Sequence, residues 1–293
     1  MARKMLTYFV MLPFRNILFP VDYSEPCMAM VPAVREMLEH FSAELTLLHA
    51  YGPEALAYST LRITDPRLPA EAEAIALERL QAFAQEHFPG RRSETFVGLG
   101  EPGGVIHNLV TREGSDLVML PTHGRGPLRR MLLGSVTAKV LHDMTIPVWT
   151  ACHAGTGAAS GYRSVLAAVD SSDEAPVVMR AAAAFAKSYG ARLSLAHVMD
   201  MPPVNMDEAY GQYLADYETA SEERLEFLKE KAGVTAPCAI LRGPVALAIE
   251  DEAKRVGADL IVTGRGDDLG AMSRLWSHLY PIVRHAPCPV LSI

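Results

Sequence analysis

The sequence lacks any two cysteines close enough together to form a zinc or redox motif. Such motifs place their cysteines only a few residues apart. The four cysteines here are widely spaced, at Cys27, Cys152, Cys238 and Cys288. Free thiols in a reducing compartment are therefore the favoured interpretation, and the cytoplasm is the expected location.

The chain also lacks an excess of basic residues and a long apolar run. Lys and Arg number 27 against 34 Asp and Glu, which gives a net charge of -7. General nucleic-acid binders usually carry a basic field, so nucleic acid is not an expected partner. Residues 1–14 contain an apolar stretch without a small-residue cleavage site after it, and no other segment is apolar for long enough to cross a bilayer. A membrane is therefore not an expected partner either.

The motifs of several common enzyme classes are missing as well. The sequence contains no P-loop lysine in the Gly-x4-Gly-Lys-Ser/Thr pattern, no obvious nucleophile–base pair and no metal-binding cluster. We therefore expect no catalytic residue and no metal site, and we expect the protein to act by binding.

What the sequence does contain is an internal duplication. Four segments of the first half return in the second half, in the same order and at nearly the same spacing: 16–22 and 164–170, 43–49 and 191–197, 114–119 and 257–262, and 146–148 and 288–290. One domain has therefore been duplicated. A residue that both copies share is expected to serve the fold, whereas a special residue that only one copy keeps can mark a site.

The length and the duplication predict two domains. A chain of 293 residues fits two ordinary domains of about 140 residues each. We predict an N-terminal extension at 1–14, a first domain at 15–150, a flexible linker at 151–162 and a second domain at 163–293. In each copy, apolar strands alternate with helical segments, such as a strand at 16–21 followed by a helix at 25–41, which predicts βαβ units and a parallel sheet.

The segment from Pro121 to Val136 is the most informative part of the chain. It leaves the carboxyl end of a strand, where ligands bind in open α/β sheets, and enters a helix at Ser135. Gly124 allows the backbone to approach a ligand closely. Gly134 and Ser135 offer backbone N–H groups, a hydroxyl and a helix N-terminus to an anion. Three arginines make the loop positive: Arg125, Arg129 and Arg130.

This segment resembles the nucleotide motif of the universal stress proteins. That motif is Gly, two residues, Gly, nine residues, Gly, then Ser or Thr. The chain has Gly124, nine residues, Gly134 and Ser135. Pro121 stands where the family has its first glycine, and Asp22 matches the family's aspartate after the first strand. Over both halves, the chain resembles a universal stress protein of the tandem type.

The resemblance implies a fold and a ligand. The fold is α/β, with two tandem doubly wound domains. Each is a five-stranded parallel sheet with helices on both faces, as in the adenine nucleotide alpha hydrolase-like proteins. Many members of the family bind ATP, so the implied ligand is ATP, AMP or ADP, with or without Mg.

The resemblance also implies the residues of a nucleotide site in the first copy. They are Pro20, Asp22, Leu48, Leu120, Pro121, His123, Gly124, Arg125, Gly134, Ser135 and Val136. By this carry-over, Asp22 contacts the ribose or the base, and Leu48 and Leu120 line the adenine. The phosphates are held by the residues around the last two glycines of the motif: Gly124, Gly134, Ser135 and Val136.

The matching loop of the second copy has diverged. Its candidate residues are Asp170, Gly264, Gly266 and Ser277. Thr263 and Trp276 are taken to replace the outer glycines, and Arg265 is taken to match His123. An indole at the phosphate turn would collide with a ligand, and the acidic pair at 267–268 would repel phosphates. We predict one working site, in the first copy, and a degenerate second site.

Simpler interpretations of several residues stay open. Asp22 and Asp170 can each end a strand and cap the next helix, without contact to a ligand. His49 and His197 end the second strand in both copies, which favours a structural place. Ser135 can be a helix N-cap, and that place is compatible with phosphate binding.

The favoured function is a stress-response regulator that binds an adenine nucleotide and acts by changing state or partner. The alternatives are an interaction scaffold without nucleotide, a weak ATPase or autophosphorylating protein, and a flavoprotein. Adenylating enzymes and pyrophosphatases of the same fold need a Ser-Gly-Gly-rich or His-x-Gly-His loop after the first strand, and this chain has neither at 22–26. The apolar edge strands at 147–150 and 289–293 are expected to pair, copy against copy or in a homodimer.

Overall fold

The computed structural model describes residues 12–52, 68–122, 133–151, 161–199, 208–265 and 278–293. The chain divides into two compact units, which contain residues 13–160 and 161–293. They are called here the N-terminal unit and the C-terminal unit. Most of the predicted extension at 1–14 and of the predicted linker at 151–162 lies outside the described residues.

Strands and helices alternate in the N-terminal unit. Its described elements are β1 (Asn16–Pro20), α1 (Glu25–Ala29), α2 (Val31–Phe41), β2 (Glu44–Tyr51), α3 (Leu68–His87), β3 (Ser93–Leu99), α4 (Pro102–Glu113), β4 (Leu117–Pro121), α5 (Ser135–Asp143) and β5 (Val148–Ala151).

The C-terminal unit repeats this order. Its described elements are β6 (Ser164–Ala168), α6 (Ala175–Tyr189), β7 (Arg192–Met199), α7 (Glu208–Ala232), β8 (Cys238–Arg242), α8 (Val245–Val256), β9 (Leu260–Thr263), α9 (Tyr280–His285) and β10 (Val290–Ser292). Among the helices that the structure describes, none is long and apolar enough to span a bilayer.

The strand order is the same in both units. It is β3-β2-β1-β4-β5 in the N-terminal unit and β8-β7-β6-β9-β10 in the C-terminal unit, and the described pairs within each unit are parallel. In the N-terminal unit, β2 and β3 lie on one side of β1, and β4 and β5 lie on the other. The strand order therefore reverses between β1 and β4, and likewise between β6 and β9; each reversal is a topological switch point. The predicted doubly wound α/β fold is confirmed.

The central strands form the core of each unit. Ile17, Leu18 and Phe19 of β1 are fully buried, and so are the middle residues of β6, 165–167. Strands that are buried on both faces carry continuous apolar runs because helices cover both faces of a parallel sheet. These apolar runs allowed both strands to be predicted from the sequence.

One predicted helix differs from the structure. The helix predicted at 25–41 is two helices, α1 and α2, which meet at Met30. Pro32 lies in the first turn of α2, and because proline has no N–H it cannot continue the hydrogen-bond ladder of α1. The Met30 N–H instead donates to the Cys27 carbonyl at 3.1 Å, as in a tightened last turn.

In each unit, an aspartate links the starts of two neighbouring strands at the amino-terminal edge of the sheet. Asp116 accepts hydrogen bonds from the N–H groups of Arg15 at 2.7 Å and Asn16 at 3.0 Å. Asp259 does the same for residues 163 and 164, at 2.8 and 3.1 Å. Because both copies keep this contact, it serves the fold. Burial raises the pKa of Asp116, and the backbone donors partly offset that rise.

Candidate nucleotide site

Predicted site residues that the structure describes flank the switch point of the N-terminal unit. Described ladder pairing between β1 and β4 joins Ile17 to Leu117 and Leu18 to Val118. No described ladder pair joins the two strands closer to their carboxyl ends. The place beyond these ends is called here the β1/β4 crevice. Asp22 follows β1 on one side of it, and Pro121 ends β4 on the other. Ligands of doubly wound sheets bind at this kind of place.

Asp22 closes a turn at the end of β1. Its Oδ1 accepts a hydrogen bond from the Ser24 N–H at 2.9 Å, and the Ser24 hydroxyl accepts one from the Cys27 N–H at 3.3 Å. Ser24 is therefore the N-cap of α1, and the interpretation that Asp22 itself caps this helix is wrong. Asp170 forms the same turn, with its Oδ1 3.0 Å from the Ser172 nitrogen.

His49 and His197 have matching structural places. The Nδ1 of His49 lies 2.7 Å from the Val21 carbonyl oxygen, and the Nδ1 of His197 lies 3.0 Å from that of Val169. Because a carbonyl can only accept, Nδ1 is the donor in both rings. Each histidine thus fixes the residue that precedes the aspartate turn. The structural interpretation of both histidines is confirmed.

The start of α5 is fastened to the end of β4. The Gly134 N–H donates to the Thr122 carbonyl at 2.9 Å, and the Thr137 hydroxyl donates to the Pro121 carbonyl at 2.8 Å. The Gly134 N–H therefore already has an acceptor. The N–H groups of Ser135 and of residue 136 come next in the first turn, where N–H groups have no acceptor within the helix.

Pro121 removes a donor on the crevice side of β4. The N–H groups of Val118 and Thr122 donate to carbonyls at 147 and 151, which belong to β5 or precede it. Since successive N–H groups of a strand point to opposite neighbours, the nitrogen of residue 121 faces the β1 side. Proline is tolerated there because it is the last residue of β4, beyond the described pairing with β1.

The remaining predicted residues differ in accessibility. Leu48 and Leu120 are 2% and 3% exposed, so little of either side chain reaches the surface. Pro20 and Val136 are half-buried. His123, Gly124 and Arg125 lie outside the described residues.

The hydrogen-bond register of the C-terminal unit corrects one part of the sequence alignment. The Arg265 N–H donates to the carbonyl of residue 293, as the Thr122 N–H does to that of residue 151. Arg265 therefore matches Thr122 and not His123, and Gly264 matches Pro121. The interpretation that Thr263 replaces the first glycine is wrong: Thr263 matches Leu120, and the C-terminal unit keeps the glycine that the N-terminal unit has lost.

The other residues of the predicted second site are only partly described. Asp170 is exposed at the end of β6, and its Oδ1 also accepts the Ser172 hydroxyl at 2.6 Å. A Cβ on Gly264 would lie 3.0 Å from the Val178 side chain, so close packing also favours glycine there. Gly266, Ser277, Trp276 and the acidic pair at 267–268 lie outside the described residues.

Among the described residues, no group of three or more His, Cys, Asp or Glu side chains could hold a metal ion. Burial raises the pKa of the Cys27 thiol, close to Asp22, to about 12. At neutral pH this thiol stays protonated and is a poor nucleophile.

Two surface grooves of the N-terminal unit lie away from the crevice. One, of about 420 Å³, is lined by polar residues of α4 and α5, and the other, of about 530 Å³, by residues of α2 and the turn before β3. Neither groove includes a predicted site residue.

Comparison with known proteins identifies the family. The model of the universal stress protein family matches residues 13–151 and again residues 161–293. The chain belongs to the universal stress protein family. The two matches confirm the tandem type that the sequence predicted.

Individual relatives agree with this assignment. A Staphylococcus epidermidis protein described as a universal stress protein is 36% identical over 140 residues, which are 45% of this chain and 84% of that protein. A universal stress protein of Thermus aquaticus is 34% identical over 137 residues, 45% of this chain and 98% of that protein. The crystal structure of a universal stress protein from Archaeoglobus fulgidus covers 94% of this chain and 95% of its own, with a TM-score of 0.66 and 22% identity. It shares the fold.

Proposed function

We propose that the N-terminal unit binds an adenine nucleotide in the β1/β4 crevice and that the protein is a stress-response regulator acting through its nucleotide-bound state. The observation that carries this proposal is the topology: a carboxylate follows β1 and a helix start follows β4, the two strands that flank one switch point. A nucleotide needs both partners, because its ribose offers hydroxyl donors and its phosphates need N–H donors and positive charge.

Asp22 is suited to the ribose. An ionised carboxylate has two oxygens and can accept several hydrogen bonds. The bond from the Ser24 N–H is therefore compatible with a second bond from a sugar hydroxyl. Hydrogen bonds to a charged acceptor are stronger than neutral ones, which makes Asp22 a main source of affinity.

The start of α5 is suited to the phosphates. The bond from the Gly134 N–H to Thr122 and the bond from Thr137 to Pro121 hold this helix end beside the crevice. The N–H groups of Ser135 and Val136, the Ser135 hydroxyl and the positive end of the helix dipole are then available to an anion. The arginines of the 123–132 loop add positive charge. We also propose that Mg binds together with the nucleotide.

The C-terminal unit is proposed to be the degenerate copy. Its aspartate also accepts the Ser172 hydroxyl, which uses part of its acceptor capacity. Thr263 brings a polar side chain to the place of the apolar Leu120. In addition, the acidic pair at 267–268 adds negative charge to the loop where phosphates would bind.

Titration calorimetry with ATP tests this proposal. The intact chain should bind one ATP. Asp22→Ala should lose about 1.5–3 kcal/mol of affinity, the usual contribution of a hydrogen bond to a charged group. Asp170→Ala is the matched control, since it removes the same turn from the other unit, and it should bind ATP like the intact chain. Equal losses in both variants, or two equal sites, would contradict the proposal.

An interaction scaffold without nucleotide is the second candidate. It is favoured by Pro121, which removes an N–H donor on the crevice side of β4. Nucleotide retained by the purified chain would argue against the scaffold. Slow ATP hydrolysis or autophosphorylation stays an alternative. The cytoplasmic location and the pairing of the β5 and β10 edges stay predictions.

A further inference from the structure

Tyr23 has a backbone conformation that bulky residues rarely adopt. Its φ is 58°, in the left-handed region, and among the described residues Ser42 is the only other non-glycine with a positive φ. Ser42 ends helix α2, a common place for this conformation. Tyr23 instead lies directly after Asp22. Such strain persists only where the surroundings impose it, and it is concentrated at binding sites.

The Tyr23 side chain is held by its neighbours. The guanidinium of Arg79 lies 3.9 Å from the centre of the Tyr23 ring. The rings of His49 and Phe83 lie 4.8 and 5.8 Å away, centre to centre. Arg79 and Phe83 are four residues apart on α3, so they belong to one face of that helix. A cation over an aromatic ring is attractive, and together these contacts hold the ring in place.

The conformation of Tyr23 directly affects Asp22. The hydrogen bond from the Ser24 N–H to the Asp22 carboxylate spans Tyr23, so rotation about the Tyr23 backbone moves donor and acceptor relative to each other. On the other side, His49 fixes the carbonyl of Val21. The carboxylate is therefore oriented by a strained residue after it and a fixed residue before it.

The C-terminal unit forms the same turn without the strain. Ser171 takes the place of Tyr23 and is absent from the positive-φ residues of the described chain. Arg224 matches Arg79, because each precedes a buried leucine on the helix that follows the second strand. Arg224 donates to the Ser171 carbonyl at 3.1 Å and to Asp173 at 2.9 Å. Arg224 thus reaches the residue after the aspartate through its carbonyl, whereas its ring contact, at 5.6 Å, is with Phe227.

The aspartate turn can therefore form without a strained residue inside it. Asp170 accepts the hydrogen bond from the Ser172 N–H with no left-handed residue between them, so the turn alone does not require one. The left-handed residue is found in the unit that keeps the nucleotide motif. Asp22 is half-buried, whereas Asp170 is exposed. The two conformations therefore present the carboxylate differently.

We propose that Tyr23 and Arg79 are positioning residues of the nucleotide site. Arg79 holds the Tyr23 ring, the held ring keeps the backbone left-handed, and this backbone orients the Asp22 carboxylate towards the ribose. The inference rests on the proposed nucleotide binding. It adds two residues that lie outside the family's motif and act through Asp22, without contact to the ligand.

A double-mutant cycle on ATP affinity tests the inference. Tyr23→Ala should weaken binding about 10-fold when Asp22 is present and by less than about 2-fold in an Asp22→Ala background, because coupled residues are not additive. Arg79→Ala should show the same dependence on Asp22. Tyr23→Phe keeps the ring and should bind like the intact chain. Arg224→Ala, the matched change in the other unit, should leave ATP affinity unchanged.

The outcomes are distinguishable. Equal losses from Tyr23→Ala with and without Asp22, or ATP affinity unchanged in Arg79→Ala, would overturn the positioning of Asp22 while leaving nucleotide binding intact. An intact chain that binds no ATP would overturn the proposed function and this inference together. Arg79 is exposed, so Arg79→Ala is expected to fold even if Tyr23→Ala does not. In that case, the double-mutant cycle of Arg79→Ala with Asp22→Ala tests the inference.

Discussion

The bond from Thr137 to Pro121 offers a sharp test of how the site is built. Thr137 is 3% exposed, and its hydroxyl donates to the Pro121 carbonyl at 2.8 Å. Thr137→Val keeps the shape of the side chain and removes only the donor. The Pro121 carbonyl then loses its partner, and α5 loses one of its two described bonds to the end of β4.

The expected cost follows from the partial burial of this bond. Leaving a fully buried acceptor without a partner costs about 1–3 kcal/mol. Because this bond is part-buried, Thr137→Val should lower the free energy of unfolding of the N-terminal unit by about 1–2 kcal/mol, the lower part of that range. Thr137→Ser keeps the hydroxyl and loses a methyl group, which costs about 0.8 kcal/mol. The N-terminal unit should therefore be more stable with serine than with valine. ATP affinity should fall only in the valine variant.

Urea unfolding followed by Trp149 fluorescence measures this difference. Trp149 is 1% exposed on β5, beside β4, and it therefore reports on the N-terminal unit. The chain has two tryptophans, so the measurements use a Trp276→Phe background to remove the other signal. Equal unfolding midpoints and slopes for valine and threonine at position 137 would refute the reasoning.

Further predictions concern the crevice, the amino-terminal edge and the pH dependence. Pro121→Gly restores an N–H that faces the crevice and should tighten ATP binding about 2- to 5-fold in calorimetry; weaker binding would contradict this. Asp116→Ala and Asp259→Ala each leave two backbone donors without their acceptor and should each destabilise their own unit by about 1–3 kcal/mol in urea unfolding. The bond from Lys139, followed by that from His142, lowers the pKa of Asp143. A carboxyl group whose pKa is lower in the folded state stabilises the fold at pH values above its pKa in the unfolded state. This stabilisation is lost as the pH falls through its pKa in the folded state. Lys139→Gln should therefore reduce thermal stability slightly at neutral pH. The reduction should shrink as the pH falls below the ordinary aspartate pKa of about 4 and disappear below the lowered pKa of Asp143; an equal reduction at neutral pH and below the lowered pKa would refute this origin.

Much of the fold could be predicted from the sequence. The apolar run at 17–19 and its counterpart at 165–167 predicted central parallel strands because both faces of such strands are buried. The break at Met30 was not predicted. A proline near a helix start is compatible with one helix or with two, and the sequence alone does not show which carbonyl the neighbouring N–H groups reach.

Less of the candidate site could be predicted. Motif spacing predicted that Asp22 and the start of α5 belong to one site, and that assignment stays a prediction. Thr137 gave no signal, because a threonine inside a helix has the same pattern whether or not its hydroxyl binds a neighbouring strand. The ring of the left-handed Tyr23 contacts Arg79, which is distant in sequence, and local propensity does not reveal such contacts.

The off-by-one alignment of the second loop has a physical cause. Two alignments of the loop differ by one residue: continuing the matched segments 114–119 and 257–262 without a gap pairs Pro121 with Gly264, whereas matching the spacing of Gly124 and Ser135 to that of Gly266 and Ser277 pairs it with Thr263. The hydrogen bond from Arg265 to residue 293 removes this ambiguity, because a ladder bond fixes which residues lie side by side. Pairing across a sheet is not recorded in the local sequence.

A crystal structure of the intact chain soaked with ATP tests the central claim most directly. The account predicts one nucleotide in the β1/β4 crevice, with a ribose hydroxyl within hydrogen-bonding distance of the Asp22 carboxylate and a phosphate at the N–H groups of Ser135 and Val136. Nucleotide found only beside Asp170, or in the groove between α4 and α5, would contradict it.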